Sequence, residues 1–219
     1  MTQTHHPLDD TLIAFASGTL DEARHFVIAA HLHSCAKCRQ TVAMLHEVGG
    51  ALLESANPAE LSVGALDRAL AKIEPQVKDN QQRSAGVSDT ATSLDETLLQ
   101  DLLSAPGKGP WNWVAPGVHV RSLLRPAGKG ARVFLLKAAP GLGLPNHTHT
   151  GTELTLVLQG AFSHAAGRFS PGDLDDADET DEHTPLVEPG QSCICLVAMD
   201  GQLKLRGLLG LVMQPFVRI

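Results

Sequence analysis

Two short stretches of the sequence are rich in side chains that bind metals. The first, HLHSCAKC at residues 31–38, contains two histidines and two cysteines within eight positions. The second, NHTHTGTE at residues 146–153, contains two histidines and a glutamate. Imidazole and thiolate together suit Zn²⁺, and imidazole with carboxylate suits several divalent transition metals. The chemistry to expect is therefore metal binding at two separate sites.

The first stretch predicts a closed site with four ligands. On a helix, His31, Cys35 and Cys38 lie at positions i, i+4 and i+7 and share one face. Three ligands on one face need a fourth from elsewhere, and His6, just before the first helical segment, can supply it. His5 competes with His6 for this role. Two thiolates and two imidazoles are typical of a structural Zn²⁺ site, which we predict here.

Other interpretations of the Cys-x-x-Cys spacing are a thioredoxin-like redox pair or two buried core cysteines. A redox pair normally lies at a helix N-terminus after a strand, and the pattern predicts no strand before this motif. A small helical domain also has a small core, so a bound metal adds stability that packing alone does not supply. Metal binding is the favoured interpretation.

The second stretch predicts metal ligands on a strand. His147 and His149 alternate along the chain, so both side chains face the same side of an extended segment. Glu153 follows across a glycine and can turn to the same centre, and His183 comes after a Pro-Gly-Asp turn and an acidic run. Three histidines and one glutamate inside a barrel make a site for a divalent transition metal. We predict Zn²⁺ here as well, with another divalent transition metal as the alternative.

The elements around the first stretch follow a helical pattern. Apolar residues recur at helical spacing through the first third of the chain, Gly18 interrupts the first segment, and Asp21 is placed to cap the second. Asn57 and Pro58 predict the start of a fourth helix, because a cap residue followed by proline is typical of a helix N-terminus. Pro75 is predicted to end it. The N-terminal part is thus a bundle of about four helices.

The rest of the chain follows a different pattern. Residues 79–95 are predicted to be a linker because the stretch is polar, and a short helix is predicted in SLDETLLQDLLS, residues 93–104. From about residue 110 the hydrophobic period changes to two, in short runs separated by Gly, Pro and Asp, which predicts an antiparallel sandwich or barrel. The predicted domains are residues 1–78, the linker and residues 96–219.

The composition limits the partners and the compartment. The formal net charge is −7, with 17 Lys and Arg against 24 Asp and Glu. This argues against direct nucleic-acid binding, which needs an excess of basic residues. The N-terminus does not have the pattern of a signal peptide, and no apolar run reaches the roughly 18 residues of a membrane span. A cytoplasmic location is predicted, and the acidic run DLDDADETDE at 173–182 is predicted to be a solvated loop.

The second stretch also matches a known family pattern. The first cupin motif, G-x5-HxH-x3-E-x6-G, is matched at every position by Gly141, His147, His149, Glu153 and Gly160. The second cupin motif is matched more loosely by Pro171, Gly172 and His183. The resemblance implies an all-β cupin barrel, a double-stranded β-helix, for the C-terminal domain.

A zinc-binding helical domain followed by a cupin resembles the ChrR family of anti-sigma factors over nearly the whole chain. The ligand residues that carry the resemblance are His6, His31, Cys35 and Cys38 in the helical part and His147, His149, Glu153 and His183 in the cupin part. The resemblance selects His6 over His5. The pair Cys193 and Cys195 also resembles a feature of this family.

The resemblance implies a regulatory function and no enzymatic one. In this family the helical domain binds an extracytoplasmic-function (ECF) sigma factor, here expected as a 1:1 complex, and blocks its engagement with RNA polymerase. The cupin domain responds to singlet oxygen or related oxidative stress, and the sigma factor is then released. The acidic charge suits a basic sigma surface. The amphipathic segment 58–74 resembles the last helix of such domains, which binds in a groove between sigma regions.

A function of a different class competes with this one. Cupins with three histidines and a glutamate include dioxygenases and isomerases that use Fe or Cu, and the helical domain would then be a partner module. Against this, the sequence places no additional acid–base group at the site, and tyrosine is absent.

Cys193 and Cys195 lie on one predicted strand and are too close in sequence for an unstrained disulfide. They are either targets of the oxidant or residues of the hydrophobic core.

Overall fold

The computed structural model describes residues 3–80, 109–124 and 130–205. Within them the helices are α1 Asp9–Ala16, α2 Glu22–Ser34, α3 Ala36–Ser55 and α4 Ala65–Asn80. The strands are β1 Asn112–Ala115, β2 Val118–Leu124, β3 Arg132–Ala138, β4 His147–His149, β5 Glu153–Gln159, β6 Phe162–His164, β7 Gly167–Phe169, β8 Leu174–Ala177, β9 Leu186–Val187, β10 Cys193–Met199 and β11 Leu203–Leu205. The predicted order, four helices followed by a sheet-rich domain, is confirmed.

Local sequence signals explain where α1 ends and where α2 begins. Gly18 follows α1 with a φ of 71°, a left-handed conformation that glycine adopts without strain. Asp21 caps α2, because its carboxylate accepts hydrogen bonds from the backbone N–H groups of Ala23 and Arg24, both at 3.0 Å. Both features were predicted.

The fourth helix begins later than predicted. It starts at Ala65, so the prediction that Asn57 and Pro58 open a helix is wrong. Leu61 and Val63, in the stretch between, are 84% and 97% exposed, so their side chains would gain little from a helical turn. A local cap signal does not offset the cost of helix nucleation when the apolar residues behind it find no packing.

The fourth helix also ends later than predicted. Pro75 lies inside α4, which continues to Asn80. The proline removes one backbone hydrogen-bond donor but does not terminate the helix. None of the described helices has the length and apolar character needed to cross a membrane.

The strands are antiparallel and form three sheets among the described residues. The largest has the order β1-β2-β3-β10-β5-β8, β11 pairs with β4, and β7-β6-β9 form the third sheet. The central strand β10 is buried along its whole length and pairs with β3 on one side and with β5 on the other. The predicted antiparallel, sheet-rich architecture is confirmed.

The described residues group into two compact units. The first joins the chain up to Val48 with the strands, and the second begins at Gly49 and contains α4. Within the first unit, Val27 and Ile28 of α2 are buried in the same hydrophobic core as Leu196 of β10. The domain boundary at residue 78 stays a prediction. The linker beyond Asn80 and the short helix at 93–104 lie outside the described residues.

A glycine of the first cupin motif is required by its surroundings. Gly160, between β5 and β6, has a φ of 73°, and a Cβ there would lie 2.7 Å from the carbonyl oxygen of Ser192. We expect Gly160→Ala to lower the free energy of unfolding by about 3 kcal/mol, from backbone strain and this clash. Urea denaturation of the full chain measures the loss.

Gly141→Ala is the matched control for this prediction. Gly141 belongs to the same motif and has a φ of 71°, but no atom lies within 4 Å of the added Cβ. Its replacement should cost only about 1 kcal/mol, from the backbone conformation alone. Equal losses in the two variants would contradict the steric argument at Gly160.

Candidate metal centres

The first predicted site forms where α2 meets α3. His31 lies in the last turn of α2, Cys38 lies in the first turn of α3, and His6 comes from the extended segment before α1. Cys35 lies between the two helices with an extended backbone, so the helix expected to run through the motif is interrupted there. One ligand atom from each of these four residues lies within 4.8 Å of the others.

The distances within this cluster fit one tetrahedral ion. The Sγ atoms of Cys35 and Cys38 are each 3.4 Å from Nδ1 of His6, and Nε2 of His31 is 3.4 Å from Sγ of Cys38. Around a tetrahedral Zn²⁺ a sulfur and a nitrogen ligand are about 3.6 Å apart. The geometry brings His6 to the cluster, whereas the ring of His5 packs on Phe169 with the centroids 4.1 Å apart.

Burial sets the protonation of the first cluster. His31 is fully buried, and burial lowers the pKa of its imidazole to about 4, so the ring is neutral at neutral pH. Its Nδ1–H donates to the backbone carbonyl of Gly172 at 3.0 Å, which leaves the Nε2 lone pair directed at the cysteines. Burial and the neighbouring Cys35 raise the pKa of the Cys38 thiol to about 12. A cation at the cluster favours the thiolate instead.

The second predicted site lies inside the β domain. His147 and His149 face the same side of β4, and His183 reaches them because its backbone pairs with that of His147. Nε2 of His183 is 2.8 Å from Nε2 of His147 and 3.4 Å from Nε2 of His149. Burial lowers the pKa of His147 to about 4 and also lowers that of His183. The three histidines present three ring nitrogens to one point, as a divalent transition metal requires.

The predicted fourth ligand of this site, Glu153, lies beside the three histidines. Its Oε2 is 3.2 Å from Nδ1 of His149, and its Oε1 accepts a hydrogen bond of 2.7 Å from the hydroxyl of Thr155. Nδ1 of His149 is a buried nitrogen without a well-aligned hydrogen-bond partner among the described residues. Such a nitrogen next to a carboxylate suits a centre built for a cation. Direct ligation by Glu153 stays a prediction.

Two residues behind His183 were not predicted from the sequence. Oδ2 of Asp175 is 3.0 Å from Nε2 of His164 and 3.9 Å from Nδ1 of His183. The backbone N–H of Ala166 donates to Nδ1 of His164 at 3.3 Å, so Nε2 is the ring nitrogen that donates a hydrogen bond to Asp175. His164 and Asp175 thus form a pair that faces the side of His183 remote from the cluster.

The acidic run at 173–182 is only partly the solvated loop that was predicted. Residues 178–182 are exposed, but Leu174–Ala177 form strand β8, and Asp173 is only 1% exposed. The prediction is therefore wrong for the first half of the run. Leu174 and Ala177, the two apolar residues of the run, are both buried, which the acidic composition did not indicate.

Cys193 and Cys195 lie on β10 with their Sγ atoms 3.6 Å apart, and both are buried. The prediction that both thiols face one side is confirmed, since both line a cavity of about 120 Å³ that is also lined by His147 and His183. The contact with Cys193, together with burial, raises the pKa of Cys195 well above its usual range. The thiol form is therefore favoured at neutral pH.

The chain is similar to known proteins along its whole length. Residues 99–203 match the family model of the ChrR cupin-like domain. The molecule is thus a cupin-type protein with a helical segment in front, which brings four candidate metal ligands together. Anti-sigma-E factor ChrR of Cereibacter sphaeroides is 40% identical over 221 residues, which cover 100% of both chains. The chain belongs to the ChrR family of anti-sigma factors.

A solved structure agrees with this assignment. The crystal structure of Rhodobacter sphaeroides SigE in complex with the anti-sigma ChrR contains a chain that matches with a TM-score of 0.71 and 38% identity. The match covers 91% of this chain and 100% of that chain. The similarity therefore extends over both the helices and the cupin-like domain.

Proposed function

We propose that the protein binds an ECF sigma factor in a 1:1 complex and keeps it from RNA polymerase. The observation that carries this proposal is the identity of 40% to an anti-sigma factor along the full length of both chains. The protein acts in the cytoplasm and has no enzymatic activity of its own. Oxidative stress, with singlet oxygen as the expected oxidant, acts through the cupin-like domain and releases the sigma factor.

The two clusters have different roles in this proposal. Zn²⁺ at His6, His31, Cys35 and Cys38 is structural, since it ties the segment before α1 to the junction of α2 and α3. The barrel cluster holds Zn²⁺ or another divalent transition metal through His147, His149 and His183, with Glu153 as the fourth ligand. A resident metal there would make the histidines and the nearby thiols one oxidant-sensitive centre.

Exposed apolar side chains on the helices support a sigma-binding surface. Met44 and Val48 lie at positions i and i+4 of α3 in the first unit, and each is more than half exposed. On α4, Leu66 and Leu70 are also more than half exposed. Apolar residues left in water at helical spacing are typical of a helix that binds another protein.

We expect Val48→Asp to weaken sigma binding. A buried charge in the middle of an apolar contact should cost at least about 2 kcal/mol, or roughly 30-fold in affinity. Isothermal titration calorimetry with the purified sigma factor measures the change. His46→Asp adds the same charge at another exposed position of α3 and should leave the affinity within a few-fold. Equal losses in both variants would contradict a specific role for the Val48 side of α3.

A pull-down with the tagged full chain tests the proposed function. The full chain is needed because the residues up to Val48 pack with the strands. We expect mass spectrometry to identify an ECF sigma factor at equal stoichiometry, and added chain to inhibit transcription by polymerase that carries this sigma factor. Failure to retain or inhibit any sigma factor would overturn the proposal.

The cavity beside the barrel cluster favours one other function, that of a metal-dependent dioxygenase. His147, Glu153 and His183 line it, and most of its remaining lining is apolar, as in a small-molecule site. Metal analysis of the purified chain separates the two functions. Zn²⁺ agrees with regulation because it is redox-inert, whereas Fe or Cu together with oxygen consumption would favour a dioxygenase.

A further inference from the structure

A turn of the cupin-like domain reaches the N-terminal metal cluster. The backbone carbonyl of Gly172 accepts the hydrogen bond from Nδ1–H of His31 at 3.0 Å, and both groups are buried. This bond fixes the ring orientation and directs Nε2 towards Cys38. A partner of this kind behind a ligating histidine tunes metal affinity. The cupin-like domain therefore supplies the hydrogen-bond acceptor that orients one of the four N-terminal ligand residues.

The next residue of the turn holds the segment that carries His6. The carboxylate of Asp173 accepts hydrogen bonds from the backbone N–H groups of Thr4 at 2.6 Å and of His5 at 3.1 Å. It also accepts bonds from the backbone N–H and the hydroxyl of Ser170, both at 2.9 Å. Burial opposes ionisation of Asp173, but these hydrogen bonds outweigh it and lower its pKa. An ionised, buried carboxylate thus anchors the chain one residue before His6.

Strand β8 leaves this turn and continues to the barrel cluster. Asp175 faces the interior, where it contacts His164 and the Nδ1 side of His183. Asp176 faces the opposite way and accepts hydrogen bonds from the backbone N–H of Leu8 at 3.0 Å and the hydroxyl of Thr11 at 2.7 Å. Two consecutive residues of β8 therefore contact different parts of the molecule: Asp175 contacts the barrel cluster, and Asp176 contacts the N-terminal segment and α1.

The position of β8 in its sheet places it between the barrel cluster and the turn that contacts His31 and the His6 segment. It is the last strand of the six-stranded sheet and pairs with β5, the strand that carries Glu153. On the turn side, the backbone N–H of Leu174 donates to the carbonyl of His5 at 3.2 Å. A displacement of β8 at the barrel cluster therefore moves the partners of His31 and of the His6 segment.

We propose that β8 couples the two metal sites, with Asp175 positioning His183 at one end and Gly172 and Asp173 positioning His31 and His6 at the other. This inference rests on the proposed metal occupancy of both clusters but not on sigma binding. Loss of the barrel metal loosens the N-terminal site, and the coupling is reciprocal because it is a free energy shared by both sites.

Alkylation of Cys35 and Cys38 tests the inference on the full, zinc-loaded chain. Iodoacetamide labelling followed by peptide mass spectrometry reports how often the N-terminal thiols leave the metal, separately from Cys193 and Cys195. We expect Asp173→Asn to raise the labelling rate by about 10-fold, because Asp173 holds the segment before His6 and residues that orient metal ligands tune metal affinity by about 10- to 100-fold. All rates are measured at a temperature at which circular dichroism shows each variant folded.

Asp176→Asn is the matched control, since it makes the same change three residues further along the chain, on β8, where the side chain contacts Leu8 and Thr11 and neither metal cluster. It should leave the rate close to that of the unmodified chain. If Asp173→Asn does not fold, Ser170→Ala removes one donor to Asp173 and should give a smaller rise. No rise in either variant, or an equal rise with Asp176→Asn, overturns the role of Asp173.

A double-mutant cycle tests the coupling itself. His147→Ala empties the barrel cluster and should raise the labelling rate of Cys35 and Cys38 by about 5-fold or more, the range of ordinary coupling. In a chain that already carries Asp175→Asn, His147→Ala should add nothing further. No rise, or the same rise in both backgrounds, overturns the proposal. Because no sigma factor is present, either failure leaves the anti-sigma function untouched.

Discussion

A chain with Cys35→Ser is expected to lose its N-terminal metal and its hold on the sigma factor together. Cys35 is buried between α2 and α3, with its Sγ 3.4 Å from Nδ1 of His6. A serine hydroxyl is a poor substitute for a thiolate at Zn²⁺. Structural Zn²⁺ contributes on the order of 10 kcal/mol to the folding of zinc-dependent domains, so we expect sigma affinity to fall by more than roughly 100-fold.

Three measurements on the full chain check this result. Mass spectrometric metal analysis should show one equivalent of zinc lost, circular dichroism should show a reduced helical signal, and calorimetry should show weak or absent sigma binding. Cys193→Ser is the matched control, because it replaces an equally buried cysteine that lies in the barrel. It should keep the N-terminal zinc and the sigma factor. Unchanged sigma affinity in the Cys35→Ser chain would refute a structural role for the metal.

Replacement of Glu153 by glutamine is expected to have the second large effect, on signalling alone. Glu153 lies beside His149 and lines the barrel cavity. Its hydrogen bond to Thr155 and its contact with His149 do not involve any of the four N-terminal ligand residues. Without the charge of Glu153, the metal proposed for the barrel cluster would be held less well. We expect the variant to bind the sigma factor with unchanged affinity but not to release it when oxidant is added. Sigma-dependent transcription should then stay at its basal level.

A reporter for sigma-dependent transcription, with a photosensitiser as the source of singlet oxygen, measures this effect. Glu188→Gln is the control, since it removes a carboxylate that pairs with Arg168 on the surface. It should leave induction unchanged. A coupling of about 5-fold through β8 is worth only about 1 kcal/mol, so we expect it not to free the sigma factor in resting cells. Normal induction in the Glu153→Gln chain would indicate that the barrel metal is only structural.

The sequence was sufficient to predict what depends on short-range spacing. The alternation of His147 and His149 places two ligands through local backbone geometry. The grouping of His31, Cys35 and Cys38 was also predicted, but on one helical face, whereas the helix is interrupted at Cys35. The strand-rich character of the chain beyond about residue 110 was predicted because its short apolar runs are bounded by turn residues. The order of helices and strands followed from the change of period.

Features that depend on long-range packing were not predictable in this way. The start of α4 depends on which apolar side chains find a partner, and the cap signal at Asn57 contains no information about that. His164 and Asp175 are eleven positions apart and meet because their strands lie in neighbouring sheets. An acidic run read by composition alone predicts solvent exposure, whereas Asp173 is buried because the N-terminal segment supplies its donors.

The shared core of α2 and the large sheet has a consequence for how such a protein can evolve. Val27 and Ile28 are buried against strand residues such as Leu196, so the order of domains along the chain does not mark separable building blocks. A gene fusion that exchanged the C-terminal half for another cupin would leave α2 facing an unmatched surface and His31 without its carbonyl partner. Within the family, an exchange of the C-terminal half alone should therefore not be tolerated, whereas transfer of the helical and cupin-like parts together should be.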